Sequence, residues 1–487
     1  MTRNFRLFFT VGFLVFAGFA QENIFLQRNF WNASTSIQDV KAQLQAGHDI
    51  SALNANKFDA VVYAILQNTP NKTIAYVQSQ KGNDVNKLTH DGRTYLFWAA
   101  YKGNVALMNY FIQIGAKTHL TDDAGYTVLN FAAATGQTNT NVYEVCLNNG
   151  ANLQTDLSPN GANALLLAAP FDTNFNLINY FVSKGVAITS TDYHGNGLFN
   201  YAAKTGNRTF LNALLKKDIT GTSQAFIFAV SGTRNHKNNI TFYKYLEGLG
   251  LDPNVVSPEG NTPLHILAKQ PNTLDQIQYF INKGVPLTHV NNKGNTAFFN
   301  AVTYNSLPVI SSLYSSQTDL TRVNKQGVSA LALALEHNSY EVVAYLIKSG
   351  APVGNKNQLI YDAMKSFNTK FQADFEKKMA LLVAHGADIN SAQANGNTVI
   401  HNAVMENNLD LLKWAMGFDV NINAKNEAGN TALHLAAMRS KNTDILKYLI
   451  AEGADTSLTT AFQETAFQLA QENELLTSTN ADILFLK

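Results

Sequence analysis

The stretch GNTALHLAA, Gly429 to Ala437, recurs upstream as GNTPLHILA (Gly260 to Ala268), GNTAFFNAV (Gly294 to Val302) and GNTVIHNAV (Gly396 to Val404). The glycines that open such units are Gly92, Gly125, Gly161, Gly195, Gly260, Gly294, Gly327, Gly396 and Gly429, at steps of 33, 36, 34, 65, 34, 33, 69 and 33 residues. Two steps are double, so the turn glycine is missing near Ser223 and near Leu359. A second series, Gly47, Gly82, Gly115, Gly150, Gly185, Gly250, Gly284, Gly350, Gly386 and Gly453, runs in register with the first, typically ten residues ahead of it. Fixed offsets in two series define an internal repeat. A unit this short cannot bury an apolar face alone and must stack on its neighbours.

The residues of one unit predict two short helices. Between Gly92 and Gly115, Leu96, Ala99 and Ala100 fall on one helical face, and Leu107, Met108, Phe111 and Ile112 follow at helical spacing on the next. Eleven residues beyond six of these turn glycines stand Gly103, Gly136, Gly206, Asn305, Asn338 and Asn407, residue types that accept the left-handed conformation ending a helix. Thr35 and Ser36 precede IQDVKAQL as a capping start, with Gln38 or Asp39 placed to close the box.

A period of about 33 with Thr-Pro-Leu-His opening the first helix resembles the ankyrin repeat, from about Phe30 to the C-terminus. The match is closest at GNTPLHILA and at Gly429 to Asp455. The resemblance implies an all-α solenoid of about thirteen helix-turn-helix repeats with short β-turn loops, over residues 21–487. Residues 21–89 would be divergent N-terminal repeats, 90–458 central repeats and 459–487 a C-terminal cap. It further implies that His265, His401 and His434 brace turns by hydrogen bonds. Phe97, Asn130, Leu166, Phe299 and Ala332 stand where the family has that histidine, which argues against a chemical duty for it.

The first twenty residues read differently. Arg3 and Arg6 precede the apolar run Leu7 to Phe19, and Gly18 and Ala20 suit cleavage before Gln21, the pattern of a secretory signal. That run falls short of the roughly 20 residues that span a bilayer. The expectation is a bacterial-type exported protein, periplasmic or secreted, without a membrane span after cleavage.

The chemistry of the rest points away from catalysis. With 36 Lys and Arg against 35 Asp and Glu there is no global field to hold nucleic acid. The single cysteine, Cys146, forms no internal disulfide, and it falls on a second-helix pattern as a buried, inert thiol. Asp156, Ser158, Asn160 and Gly161 begin like a calcium loop, but Leu167 stands where the closing glutamate belongs. No HExxH, GxSxG, phosphate-binding glycine loop or CxxC occurs. The Asn-x-Ser/Thr sequons at Asn32, Asn71, Asn207 and Asn239 are chance in so asparagine-rich a chain. No catalytic, cofactor or metal residue is expected.

The family habit instead implies binding through a concave face of turn tips and first helices. The freely varying positions there hold His90, Arg93, Tyr101, Lys102, Tyr126, Phe171, Tyr193, His194, Lys204, Tyr304 and His337. Recurrent tyrosine suits protein binding. The bland alternative is that these rings pack between repeats. The expected function is therefore a monomeric, non-catalytic scaffold for a protein partner; the alternative is a carbohydrate-binding protein that stacks sugars on the aromatic face. Two lengthened units, at Ser231–Ile240 and Ser366–Glu376, add loops of the kind that often bind.

Overall fold

The computed structural model describes residues 22–354 and 356–487; the expected signal segment lies outside them. Among the described residues the secondary structure is helical, with isolated β-bridges flanking turns such as Thr121 to Thr127. The chain forms two compact units, Met1–Thr222 and Ser223–Lys487. The division falls at Ser223, the first place where the repeat register loses its glycine.

Each unit is built from pairs of an inner and an outer helix. In the N-terminal unit the helix Ile37–Gln45 precedes five pairs, beginning with Ala60–Leu66 and Asn71–Gln78. In the C-terminal unit eight pairs run from Ala225–Ser231 to Glu474–Thr477. The inner helices are short and almost wholly buried: every residue from Tyr95 to Ala100 is covered, as is every residue from Ala432 to Ala437. Their alanines let backbones approach from both sides. Outer helices bury one stripe, such as Leu107, Met108 and Phe111.

Local chemistry sets the helix ends. Outer helices start on asparagine caps: Asn104 Oδ1 accepts from Leu107 N at 3.1 Å, and Asn207, Asn239 and Asn408 repeat the device. The sequons at Asn207 and Asn239 thus sit on amides engaged in capping. Ser36 and Asp39 close the expected capping box. Outer helices stop at the second glycine series. Gly115 has φ of +97°, and the next amide, Ala116 N, reaches back to Phe111 O at 2.8 Å, a Schellman closure.

Inner helices end in two ways, and here one expectation needs correction. Gly103, Gly136, Gly206 and Asn407 are left-handed as predicted. Asn305 and Asn338 are not: their φ values are −129° and −124°, which is extended backbone. Their side chains explain why. Asn305 Nδ2 donates to Ala268 O and Gln270 O at 3.2 and 2.7 Å, and Asn338 Nδ2 to Val302 O and Asn305 O at 2.9 and 2.8 Å. The asparagine serves the carbonyls of the preceding repeat, so its own backbone need not turn left. Near Leu359, where the second glycine is missing, the helix Lys356–Met364 replaces the turn–helix entry, and its partner Gln372–Ala384 is lengthened to 13 residues.

Candidate interaction surface

Turns such as those opening at Asp122, Asp192, Asn291 and Asn324 are closed from within by the side chain of their first residue. Asp122 Oδ1 accepts from Ala124 N at 3.1 Å and from Tyr126 N at 2.9 Å, while Gly125 N donates to Asp122 O at 2.9 Å. Successive tips are then joined by a backbone rung: Asp123 N to Asp91 O, Tyr193 N to Asn160 O, Asn292 N to Glu259 O, Lys325 N to Lys293 O and Glu427 N to Asn395 O, all between 2.9 and 3.1 Å. Pro159, which has no N–H, interrupts the row beside Gly125. The backbone of the tips is fixed on both sides, and the side chains between are free to vary.

The structure separates the candidate residues into two groups. Several are built into the stack. Arg93 places its Nε 2.9 Å from Asp122 Oδ2 and its guanidinium 4.3 Å from the centre of the Phe131 ring. His90 stacks on Phe58 at 4.4 Å, with Nδ1 3.0 Å from Asn56 O. Phe171 lies over Gly136, where a Cβ would meet its ring at 2.8 Å. Tyr126 is half-buried, and burial followed by the charge of Asp122 raises its hydroxyl pKa. Lys204 is also half-buried beside the Tyr201 ring, and burial lowers its ammonium pKa; Lys102 is half-buried too.

Others face outward. Tyr101 is 38% exposed, Tyr304 62% and Tyr193 69%, and His194 and His337 are exposed. Tyr193 lies flat on the α-carbon of Gly161, whose φ of +81° and missing Cβ make room for the ring; any Cβ there would fall 2.4 Å from it. The tip glycine thus supports an aromatic ring whose other side meets water. Among the described residues the most exposed large apolar side chain, Phe462 at 85%, was not singled out in the sequence. Its turn ends in Gln463 at φ of +64° in place of glycine, so the glycine register passes over it.

The three histidines share one geometry. Nδ1 of His265 accepts from Thr262 N at 3.2 Å, and its Nε2 donates to Asn295 O of the next turn at 3.1 Å. His401 and His434 do the same with Thr398 and Asn430 O, and with Thr431 and Leu458 O. Both ring nitrogens are spent on the neutral tautomer, and the rings are about 1% exposed. Burial is the first cause that depresses their pKa values, that of His265 to about 4. Asn130 stands in for histidine, with Nδ2 donating to Asp156 O at 2.9 Å. Asn200, not singled out in the sequence, does so with Thr222.

No reactive centre emerges around these groups. Cys146 is buried, and burial and the charge of Asp156 push its thiol pKa up to about 12, the opposite of nucleophilic activation. The Asp156–Gly161 stretch closes as a turn, with Gly161 N bonded to Ser158 O at 2.8 Å. Among the described residues no three His, Cys, Asp or Glu side chains gather as metal ligands, and no helix is long and apolar enough to cross a membrane.

The helix pairs, rung-linked turns and Thr–His boxes match a sequence profile of ankyrin repeats over residues 61–155, 100–192, 226–324 and 372–474, more than half of the chain. The chain belongs to the ankyrin repeat family. The two internal stretches that this ankyrin profile leaves unmatched, 193–225 and 325–371, contain both sites of the missing turn glycine.

Among similar proteins are a transient receptor potential cation channel subfamily A member 1 homolog of Caenorhabditis elegans, 33% identical over 20% of this chain and 8% of its own length, and B-cell lymphoma 3 protein of Homo sapiens, 27% identical over 45% and 49%. The chain therefore spans less than half of either relative. Notch-regulated ankyrin repeat-containing protein A of Danio rerio is 30% identical over 20% of this chain and 86% of its own. The crystal structure of the ankyrin repeat domain of Bcl-3 aligns with a TM-score of 0.33 at 25% identity, covering 46% of this chain and 100% of that one. These relatives are animal proteins and lend no support to a bacterial-type exported subfamily.

Proposed function

We propose that this ankyrin chain is a non-catalytic scaffold that binds another protein through its turn tips and inner-helix ends. The observation that carries the reading is the exposure of Tyr193, Tyr304 and Phe462 on or beside turns whose backbone is pinned from within. A large ring on a rigid backbone offers contact area at little entropic cost, the quality of an interface anchor. The test captures a partner from native extract with the full chain and titrates it against Tyr101→Ala/Tyr193→Ala. Affinity should fall roughly 30-fold to 1000-fold, about 2 to 4 kcal/mol, with little change in melting. A lower melting temperature with binding intact makes the rings packing elements, and retention on a glycan array with no captured protein favours the carbohydrate reading.

Export is part of the proposal and rests on Arg3, Arg6 and the apolar run from Leu7 to Phe19. A mature N-terminus at Gln21 in a secreted or periplasmic fraction supports it. An intact N-terminus in washed membranes counts against it.

A further inference from the structure

In the C-terminal unit the first repeats collect cations on one face. Lys237 of the lengthened loop donates to Ser231 O at 3.1 Å, and Gln270 beside Lys269 donates to Val230 O at 2.8 Å. Asn305 beside Tyr304 in turn donates to Gln270 O at 2.7 Å. These bonds set Lys237, Lys269 and Tyr304 side by side on successive inner-helix ends. Along the tips, Lys325 N bonds to Lys293 O at 3.1 Å, which makes those two lysines neighbours. Lys269 follows His265 by four residues, and His265 Nε2 bonds to Asn295 O, two residues beyond Lys293, at 3.1 Å, which brings the helix-end row beside the tip row.

All four lysines and Tyr304 are exposed, and among the described residues none of the lysines has a carboxylate within ion-pair distance. Glu259 accepts from Ser257 Oγ at 2.7 Å, and Glu336 pairs with Lys365 at 3.3 Å.

We propose that this face, Lys237, Lys269, Lys293 and Lys325 around Tyr304, receives an acidic peptide segment of a partner protein. The proposal rests on the protein-binding reading and names the chemistry of the partner. With roughly 10 Å between stacked repeats, cations so spaced suit a short acidic stretch that seats an apolar side chain on the tyrosine. A long polyanion tracking the tips would meet Glu427, which occupies in its turn the rung position that Lys325 holds.

The experiment measures fluorescence anisotropy of a labelled peptide of Glu-Glu-Leu triplets with the full chain at about 0.1 M salt. A Gln-Gln-Leu counterpart and a single-stranded oligodeoxynucleotide serve as competitors. The acidic peptide should bind, the glutamine peptide should not compete, and Lys269→Glu/Lys293→Glu should weaken binding about tenfold or more. Lys447→Glu, on an outer helix, should not. Equal competition by the glutamine peptide, an equal loss with Lys447→Glu, or tighter binding of the oligonucleotide overturns the proposal. If the charge-reversed pair fails to fold, Lys269→Gln/Lys293→Gln reads the same loss. A captured protein partner that binds the reversed pair undiminished leaves the scaffold reading standing and removes this one.

Discussion

In the N-terminal unit the first two inner helices are joined through a charge. Asp59, fully buried, caps its own helix at Val62 N, accepts from the Tyr95 hydroxyl of the next repeat at 2.7 Å and pairs with Lys87 at 3.0 Å. In the C-terminal unit the corresponding work falls to neutral imidazoles, each holding its own threonine with one nitrogen and the next turn with the other. Helix ends diverge in the same way. Gly103 turns left and leaves Gln137 to cap Ala100 O and Tyr101 O, whereas Asn338 stays extended and caps the previous repeat itself. The stack requires that a repeat satisfy the carbonyls of its neighbour. It does not require a particular residue to do so, which is why the period survives while the letters drift.

The largest way to break this contrast is Asp59→Ala. Removing the carboxylate leaves the Tyr95 hydroxyl without its acceptor and the Lys87 ammonium with Ser51 O and Asn83 Oδ1 but no counter-charge, and about 3 kcal/mol should be lost from the N-terminal unit alone. Hydrogen exchange should show the loss in the amides of 60–101 and spare the C-terminal unit. A uniform loss over both units would show that the two do not open separately.

Acid should act on the other side of the comparison. An unfolded histidine takes up its proton near 6.5 and folded His265 only at about 4, so between these values the unfolded chain binds more protons. Stability is full above about pH 6.5 and falls as the pH drops toward 4, by up to about 3 kcal/mol at this site. His289 and Lys269 face the ring and add to the depression. His265→Gln, which keeps a capping-box acceptor, should flatten the slope in a pH series of denaturant melts. A slope unchanged by the substitution would assign the acid response to other groups.

The smallest effects sharpen the contrast between helix ends. Asn338→Ala deletes two bonds to carbonyls of the preceding repeat and should cost about 2 kcal/mol. Asn338→Gly should be no better, because the backbone there is extended. Asn407→Gly, at φ of +49°, should change the free energy of unfolding by less than about 0.5 kcal/mol. Rescue of Asn338 by glycine would mean that the amide bridge contributes nothing.

The local code of this protein was readable from its letters. Glycine register gave the period and the places where it breaks, and Gly103, Gly136, Gly206 and Asn407 gave inner-helix stops, because a positive φ demands a residue that tolerates it. Ser36 with Asp39 gave one helix start, because capping acts over three residues, whereas the boxes that Thr262, Thr398 and Thr431 close with histidine became visible only in the fold. The drift from histidine to Asn130 pointed to a bracing role at that position, and Asn130 Nδ2 does reach Asp156 O. Contacts between repeats about 33 residues apart were beyond this reading. Nothing in sequence distinguishes Asn305 and Asn338, which reach across to another repeat, from Asn407, which turns its own backbone. The same limit applied to the surface. Arg93 and Phe171 occupy varying positions just as Tyr193 and Tyr304 do, yet Asp122 with Phe131 and Gly136 draw the first two inward and leave the others in water. Spacing along the chain decides which face of a repeat a side chain takes, whereas its exposure depends on what the next repeat places opposite it, and only stacking brings those partners together.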